Sequence, residues 1–264
     1  LHIDDVHTIK VRSLRGRVEP HIPIASLDDP KSFTIQVTSG TVGLNGDDLA
    51  ALLNQIVFNY PGSPISRLRV RVSGAQIVQS GIMHKGVDLP FEMTSTLTLE
   101  PDGRIRSHPT KMRMLGVDGL KLLHALGLRL DKVLNLKGSH GATVDKDDLI
   151  LDPLQMIPPP AIAGRLRSVR IEGGVILQEF VRVPEDSVFG SYVRADSSVH
   201  NYIYFRGSKL GFGKLTMDDP DLLIGDADER DPFDLYFIRY NKQLVAGYTR
   251  NRLNFGLRVF MADY

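Results

Sequence analysis

A chain of 264 residues with 42% hydrophobic residues, a count that omits its 24 glycines, has enough apolar material for one large core or two modest ones. Its 32 Lys and Arg nearly balance 31 Asp and Glu, which excludes a uniformly basic nucleic-acid binder, and the absence of cysteine excludes a disulfide scaffold, thiolate zinc and a cysteine nucleophile. No apolar run approaches the ~18 residues of a membrane span and no signal-peptide pattern is present, but the chain begins at Leu1 instead of Met, which reads as a trimmed piece that an export signal or anchor could precede.

The first strand pattern is Phe33 to Val37. Asn45-Gly46-Asp47 then caps a helix whose apolar positions Leu49, Leu52, Leu53, Ile56 and Val57 share one face, ending before Pro61. Leu68 to Val72 and Ile77 to Gly81 alternate apolar with polar residues around the turn Ser73-Gly74, and Phe91 to Leu99 leads into the turn Pro101-Asp102-Gly103. Both read as hairpins of an antiparallel sheet. A second helix is expected from about Asp118 to Leu134, with leucines at 120, 122, 123, 126, 128, 130 and 134. These cover well over one face, so this helix should be buried on more than one side or share its surface with an apolar ligand. Strands follow at Val169 to Ile171 and Val175 to Phe180, joined by Glu172-Gly173-Gly174, and later at Tyr202 to Phe205 and Leu257 to Met261. A third helix should begin at Asp231-Pro232, with Phe233, Phe237, Tyr240 and Leu244 as its stripe up to Gly247.

The run from Arg67 to Gln79 returns about 99 residues later as Arg165 to Gln178 with one inserted residue, Ser168, and eight of its 13 pairs are identical. Asp47-Asp48-Leu49 likewise has a counterpart in Asp147-Asp148-Leu149. The spacing is too long for a solenoid and suggests two related halves, about 40–80 and 140–180, each delivering an acidic capped segment and a basic-faced hairpin to one curved sheet. Convergence of two hairpins with arginines outside and aliphatics inside explains the same pattern. Five aromatic residues precede position 181 and 14 follow it, so a soft boundary falls near Val183. It separates a curved-sheet and helix region, 1–183, from an aromatic-rich strand and helix region, 184–264, which either packs on the first or forms a small second domain.

The order Ser39-Gly40-Thr41-Val42, then Asp47-Asp48-Leu49-Ala50-Ala51-Leu52-Leu53-Asn54, a strand pair, Phe91-Glu92-Met93-Thr94 leading to Pro101-Asp102-Gly103, and a leucine-rich second helix resembles bacterial YpmS-like and LmeA-like envelope proteins. Those are grouped with the tubular lipid-binding (TULIP-like) proteins, and the resemblance covers residues 33–180. It implies an α+β fold in which a strongly curved antiparallel sheet wraps one or two helices and leaves an apolar groove. It further implies secretion or membrane anchoring and binding of a lipid or polyisoprenoid, with no catalytic motif to carry over.

The eight histidines include no HExxH pair, and no Gly-x-Ser-x-Gly elbow is present. Gly207 to Thr216 misses the phosphate-loop spacing by one residue and lacks Ser or Thr after Lys214. Between Asp218 and Asp234 eight acidic residues face only Arg230; Asp226, Asp228 and Asp231 are the tightest calcium candidates, against a reading as a solvated capping loop. Between Arg104 and Lys137 eight basic residues face two acidic ones.

The expectation is therefore a non-enzymatic extracytoplasmic protein without a cofactor. Leu120, Leu123, Leu126, Leu130 and Leu134 would line a ligand groove, while Arg104, Arg106, Lys111 and Arg113 would meet anionic headgroups in a peripheral membrane contact. No nucleic-acid partner is expected. The alternative is an envelope scaffold with a protein-partner surface on the C-terminal region, around Tyr202, Tyr204 and Phe205.

Overall fold

The computed structural model describes residues 1–121, 129–184, 201–228, 233–236, 239, 242–243, 246–251 and 256–262. Their strands, in chain order, are β1 (Lys10–Pro20), β2 (Ala25–Ser26), β3 (Phe33–Leu44), β4 (Ile65–Ser73), β5 (Gln76–His84), β6 (Asp88–Leu99) and β7 (Ile105–Met114). There follow β8 (Val117–Asp118), β9 (Ala142–Asp145), β10 (Asp148–Leu151), β11 (Ala161–Ala163), β12 (Leu166–Glu172) and β13 (Val175–Phe180). The last are β14 (Tyr202–Arg206), β15 (Lys209–Phe212), β16 (Leu215–Asp218), β17 (Asp221–Asp226), β18 (Tyr248–Asn251) and β19 (Leu257–Met261). The helices with both ends described are α1 (Gly46–Leu52), which continues into a π-helical turn, Leu53–Val57, and α2 (Leu130–Val133); residues 119–121, 242–243 and 246 are also helical.

The fold is α+β, dominated by antiparallel sheet that includes a curled half-barrel. That seven-stranded sheet runs β4-β5-β6-β7-β10-β9, with β8 on the free end of β7. A five-stranded sheet runs β1-β3-β13-β12, with β11 parallel to the start of β3. Both copies of the repeated segment form hairpins, β4-β5 and β12-β13, but in different sheets instead of the single sheet expected from the repeat. Tight turns set both registers: Gly74 in one, and Gly173 and Gly174 in the other, take positive φ, a region glycine enters without steric cost.

Asn45 caps α1 as expected: its side chain accepts from Asp48 N at 2.8 Å while the Asp48 carboxylate accepts from Asn45 N at 3.3 Å. Asp48 is buried and also accepts from Thr8 N at 2.8 Å, tying the N-terminal segment to the helix start. Leu49, Leu52, Leu53 and Val57 enter the main core, which lies between the two large sheets. The π turn places Asn54 over a bulge in β4, where Arg67 takes positive φ and the register skips from Ser66 to Arg69. Asn54 closes this gap in the ladder by accepting from Leu68 N at 2.9 Å and donating to Leu68 O at 2.8 Å.

A second, smaller core gathers Ala25, Leu27 and Phe33 with Leu210, Leu222, Ile224, Val259 and Met261. It lies against a four-stranded sheet, β14-β17-β19-β18, and a three-stranded one, β16-β15-β2. Its buried members are mainly aliphatic, and Phe205, Phe212 and Phe233 pack partly buried around them. Because β2 pairs with β15, chain from before and after position 183 builds this core together. Among the described residues of the expected third helix only the later part is helical, at residues 242–243 and 246; Asp231 and Pro232 lie outside the described residues, Phe233 to Leu235 are not helical, and Tyr236 makes a bridge with His2. Gln243 explains the change, since its side chain accepts from Tyr236 N at 3.0 Å and donates to Asp234 O at 2.8 Å, satisfying backbone groups that a helix would have used.

Candidate functional site

The inward positions of the seven-stranded sheet follow the period of two, so Met83, Phe91, Met93 and Met112 point toward one cavity. Phe58 just after the π turn, Leu130 from α2 and Leu134 just beyond it line the other side. The void is about 30 Å³, room for one or two water molecules, and its walls are almost wholly apolar. A second void of about 60 Å³ lies between the two large sheets, where Leu44, Ile176 and Phe180 face Ile77, Leu97 and Ile105.

The cover of the first cavity is not the continuous helix expected over 118–134. Asp118 belongs to β8, residues 119–121 are helical, and Arg129 is extended at φ −132° and ψ 164°, so α2 is a separate single turn. Leucines on too many faces cannot all reach one sheet from one straight helix, and the break at Arg129 turns Leu130, Val133 and Leu134 inward. Asp147 caps this turn from a distance by accepting from Leu130 N at 3.0 Å, while Asp131 N donates to Lys146 O at 2.8 Å. Asp147-Asp148-Leu149 thus holds a helical turn made elsewhere in the chain, where its counterpart Asp47-Asp48-Leu49 begins its own. Of the five leucines expected at the groove, Leu130 and Leu134 line the cavity and Leu120 packs partly buried on the core; Leu123 and Leu126 lie outside the described residues.

Sequence reading missed the polar groups inside this apolar surface. Gln79 is 3% exposed, and Ser95 and Ser107 are fully buried at 0%. Gln79 Nε2 and both serine hydroxyls lack a hydrogen-bond partner among the described residues. A buried polar group left unpaired costs about 1–3 kcal/mol, so three in adjacent strands form an unusual concentration. The signal was available in the alternation itself, since Ile77, Gln79 and Gly81 share one face of β5, as do Met93, Ser95 and Leu97 on β6.

The expected cationic stripe is altered by its partners. Arg106 donates to Glu100 Oε1 at 2.7 Å, Asp148 Oδ2 at 2.6 Å and Asp145 Oδ2 at 3.1 Å. The bonds to Glu100, Asp148 and Asp145 hold its guanidinium protonated far above the ordinary arginine range. Arg106 is therefore engaged by three carboxylates instead of standing free for a headgroup, because β7 lies between β6 and β10 and their acidic ends converge on it. Arg104 pairs with Asp102 at 2.7 Å, while Lys111 and Arg113 are exposed on the outer side of β7. In the second hairpin Arg170 reaches Glu179 at 2.8 Å and Arg167 at 3.2 Å; these bonds, with one from Ser168 Oγ, lower the Glu179 carboxyl to about 2.

In the acidic stretch Asp226 is buried at the end of β17 and accepts from Asp228 N at 2.9 Å. Asp231 lies outside the described residues, and among the described residues no cluster of three or more His, Asp or Glu side chains could hold a metal ion. Among the same residues no helix is long and apolar enough to cross a membrane. No protein-family model, curated protein or solved structure matches the chain.

Proposed function

We propose that the protein binds a lipid or another apolar or amphiphilic molecule in the cell envelope, without catalysing a reaction. The observation that carries this reading is the first cavity, an apolar void roofed by one helical turn whose N-terminus is held by two bonds to the β9-β10 turn, from Leu130 N to the Asp147 carboxylate and from Asp131 N to Lys146 O. A void of about 30 Å³ is too small for an acyl chain, so binding requires the roof to part and the wall to repack. Met83, Met93 and Met112 suit that demand, since unbranched thioether side chains adapt to irregular occupants at low cost.

A peripheral membrane contact is part of the proposal. Val87, Leu115 and Val117 are exposed on turns and strand at the same end of the seven-stranded sheet, beyond the row where Phe91 meets Met114. Phe91 also lines the first cavity, so this apolar end lies on a short route between a bilayer and the void. The resemblance of residues 33–180 to TULIP-like envelope proteins supports the same reading, as does the curled sheet. The C-terminal region is then an aromatic-rich extension packed on the ligand-binding part.

Solvent extraction and mass spectrometry of protein purified from cells with intact membranes test this function. A stoichiometric apolar species in the extract is the expected result. Protein free of such a species, and unable to acquire one from phospholipid vesicles, would overturn it.

A further inference from the structure

Gln79, Ser95 and Ser107 form a diagonal across three neighbouring strands. In the β5-β6 register Gln79 faces Met93 and Ile77 faces Ser95, and in the β6-β7 register Ser95 faces Pro109 and Leu97 faces Ser107. Each member is thus the diagonal neighbour of the next on the inner face, about 7–8 Å away, with Ser95 in the middle. The diagonal marks the border between the two voids: Gln79 and Met93 line the first, while Ile77, Leu97 and Ile105 line the second. Ser95 stands between Met93 and Leu97 on its strand, and Ser107 is the next inward position after Ile105.

Three buried donors without partners point to an acceptor that is absent from the protein itself. No lysine, arginine or histidine among the described residues lines either void, so an ionised carboxylate or phosphate would be buried there without a counter-charge. Building on the apolar-ligand reading above, we propose that this diagonal anchors an uncharged hydrogen-bond acceptor, a carbonyl of the ester, ketone or amide kind, set part-way along an apolar chain. One arm of the chain would enter each void. Ser95 Oγ, in the middle of the diagonal, would donate to that oxygen directly, and Gln79 Nε2 on one side and Ser107 Oγ on the other would each reach it through a bridging water.

Calorimetric titration with three probes delivered from cyclodextrin tests this: a long-chain ketone with its carbonyl at mid-chain, the n-alkane of equal length and the fatty acid of equal length. The ketone should bind the wild-type protein about tenfold more tightly than the alkane, and more tightly than the ionised acid. In the double variant Ser95→Ala, Ser107→Ala, the ketone should lose most of that advantage while alkane binding persists. Equal binding of ketone and alkane to the wild type would overturn the anchoring role and leave the apolar cavity standing. Binding of neither would overturn the cavity's ligand-binding function as well, and the wild-type comparison decides the matter whether or not the variants fold.

Discussion

Gln79 and Gln178 hold the same register position in the two hairpins formed by the repeated segment, Gln79 facing Val70 and Gln178 facing Val169. Each is the amide in the wall of a different apolar void. Conservation of pairing, turn and inward direction between β4-β5 and β12-β13 gives the repeated segment a structural meaning beyond its residue identities.

An amide kept unpaired in an apolar wall lowers stability. Gln79→Met keeps the length of the side chain and removes the unpaired donor, so it should raise the unfolding free energy by about 1–3 kcal/mol. Urea denaturation at neutral pH measures this, and a fall in stability would mean that Gln79 has a structural partner.

Asn54 has the opposite role. Its side chain satisfies both backbone groups of Leu68 across the β4 bulge, so Asn54→Ala should cost about 2–4 kcal/mol by leaving two backbone groups without partners and opening a gap beside the π turn. Hydrogen exchange should show the loss first at the Leu68 amide.

The arginines around Glu179 make one part of stability dependent on acid. The folded carboxyl titrates at about 2, below its ordinary value of 4.5, so its contribution is complete above pH 4.5 and disappears as pH falls toward 2. The stability difference between wild type and Glu179→Gln should therefore shrink across that window. Parallel curves for the two proteins from pH 5 to pH 2, on this account, would show that the ion pairs with Arg170 and Arg167 contribute nothing.

Arg106 neutralises Glu100, Asp145 and Asp148 together. Arg106→Met leaves these carboxylates facing one another, so the variant should be less stable than wild type at neutral pH, and added salt should narrow the gap by screening their repulsion. Thermal melts in low and high salt read this directly.

The sequence made much of the strand content legible, because alternation from Leu68 to Leu99 and glycine turns are local signals, and the Asn45 cap was readable for the same reason. The break at Arg129 was not, since leucines on every face are compatible with one buried helix or with two pieces turned to different surfaces. The capping of α2 by Asp147 and the capture of Arg106 by Asp145 and Asp148 join residues distant in sequence, the second through the β7-β10 and β9-β10 pairings. The separation of the repeated hairpins into two sheets was equally hidden, because a hairpin specifies its own pairing and leaves its outer neighbour open.

The chain contains no tryptophan, so one placed in the first cavity reports on that site alone. Phe58 is buried in the cavity wall, and Phe58→Trp is the least disruptive way to put an indole there. Titration of this variant with a long-chain ester brominated along its acyl chain should quench the emission to saturation at one equivalent, while a Tyr248→Trp control on exposed β18 stays bright. Unquenched emission from the cavity tryptophan at saturating ester, in a protein that remains folded, would contradict the claim that this void is where an apolar ligand binds.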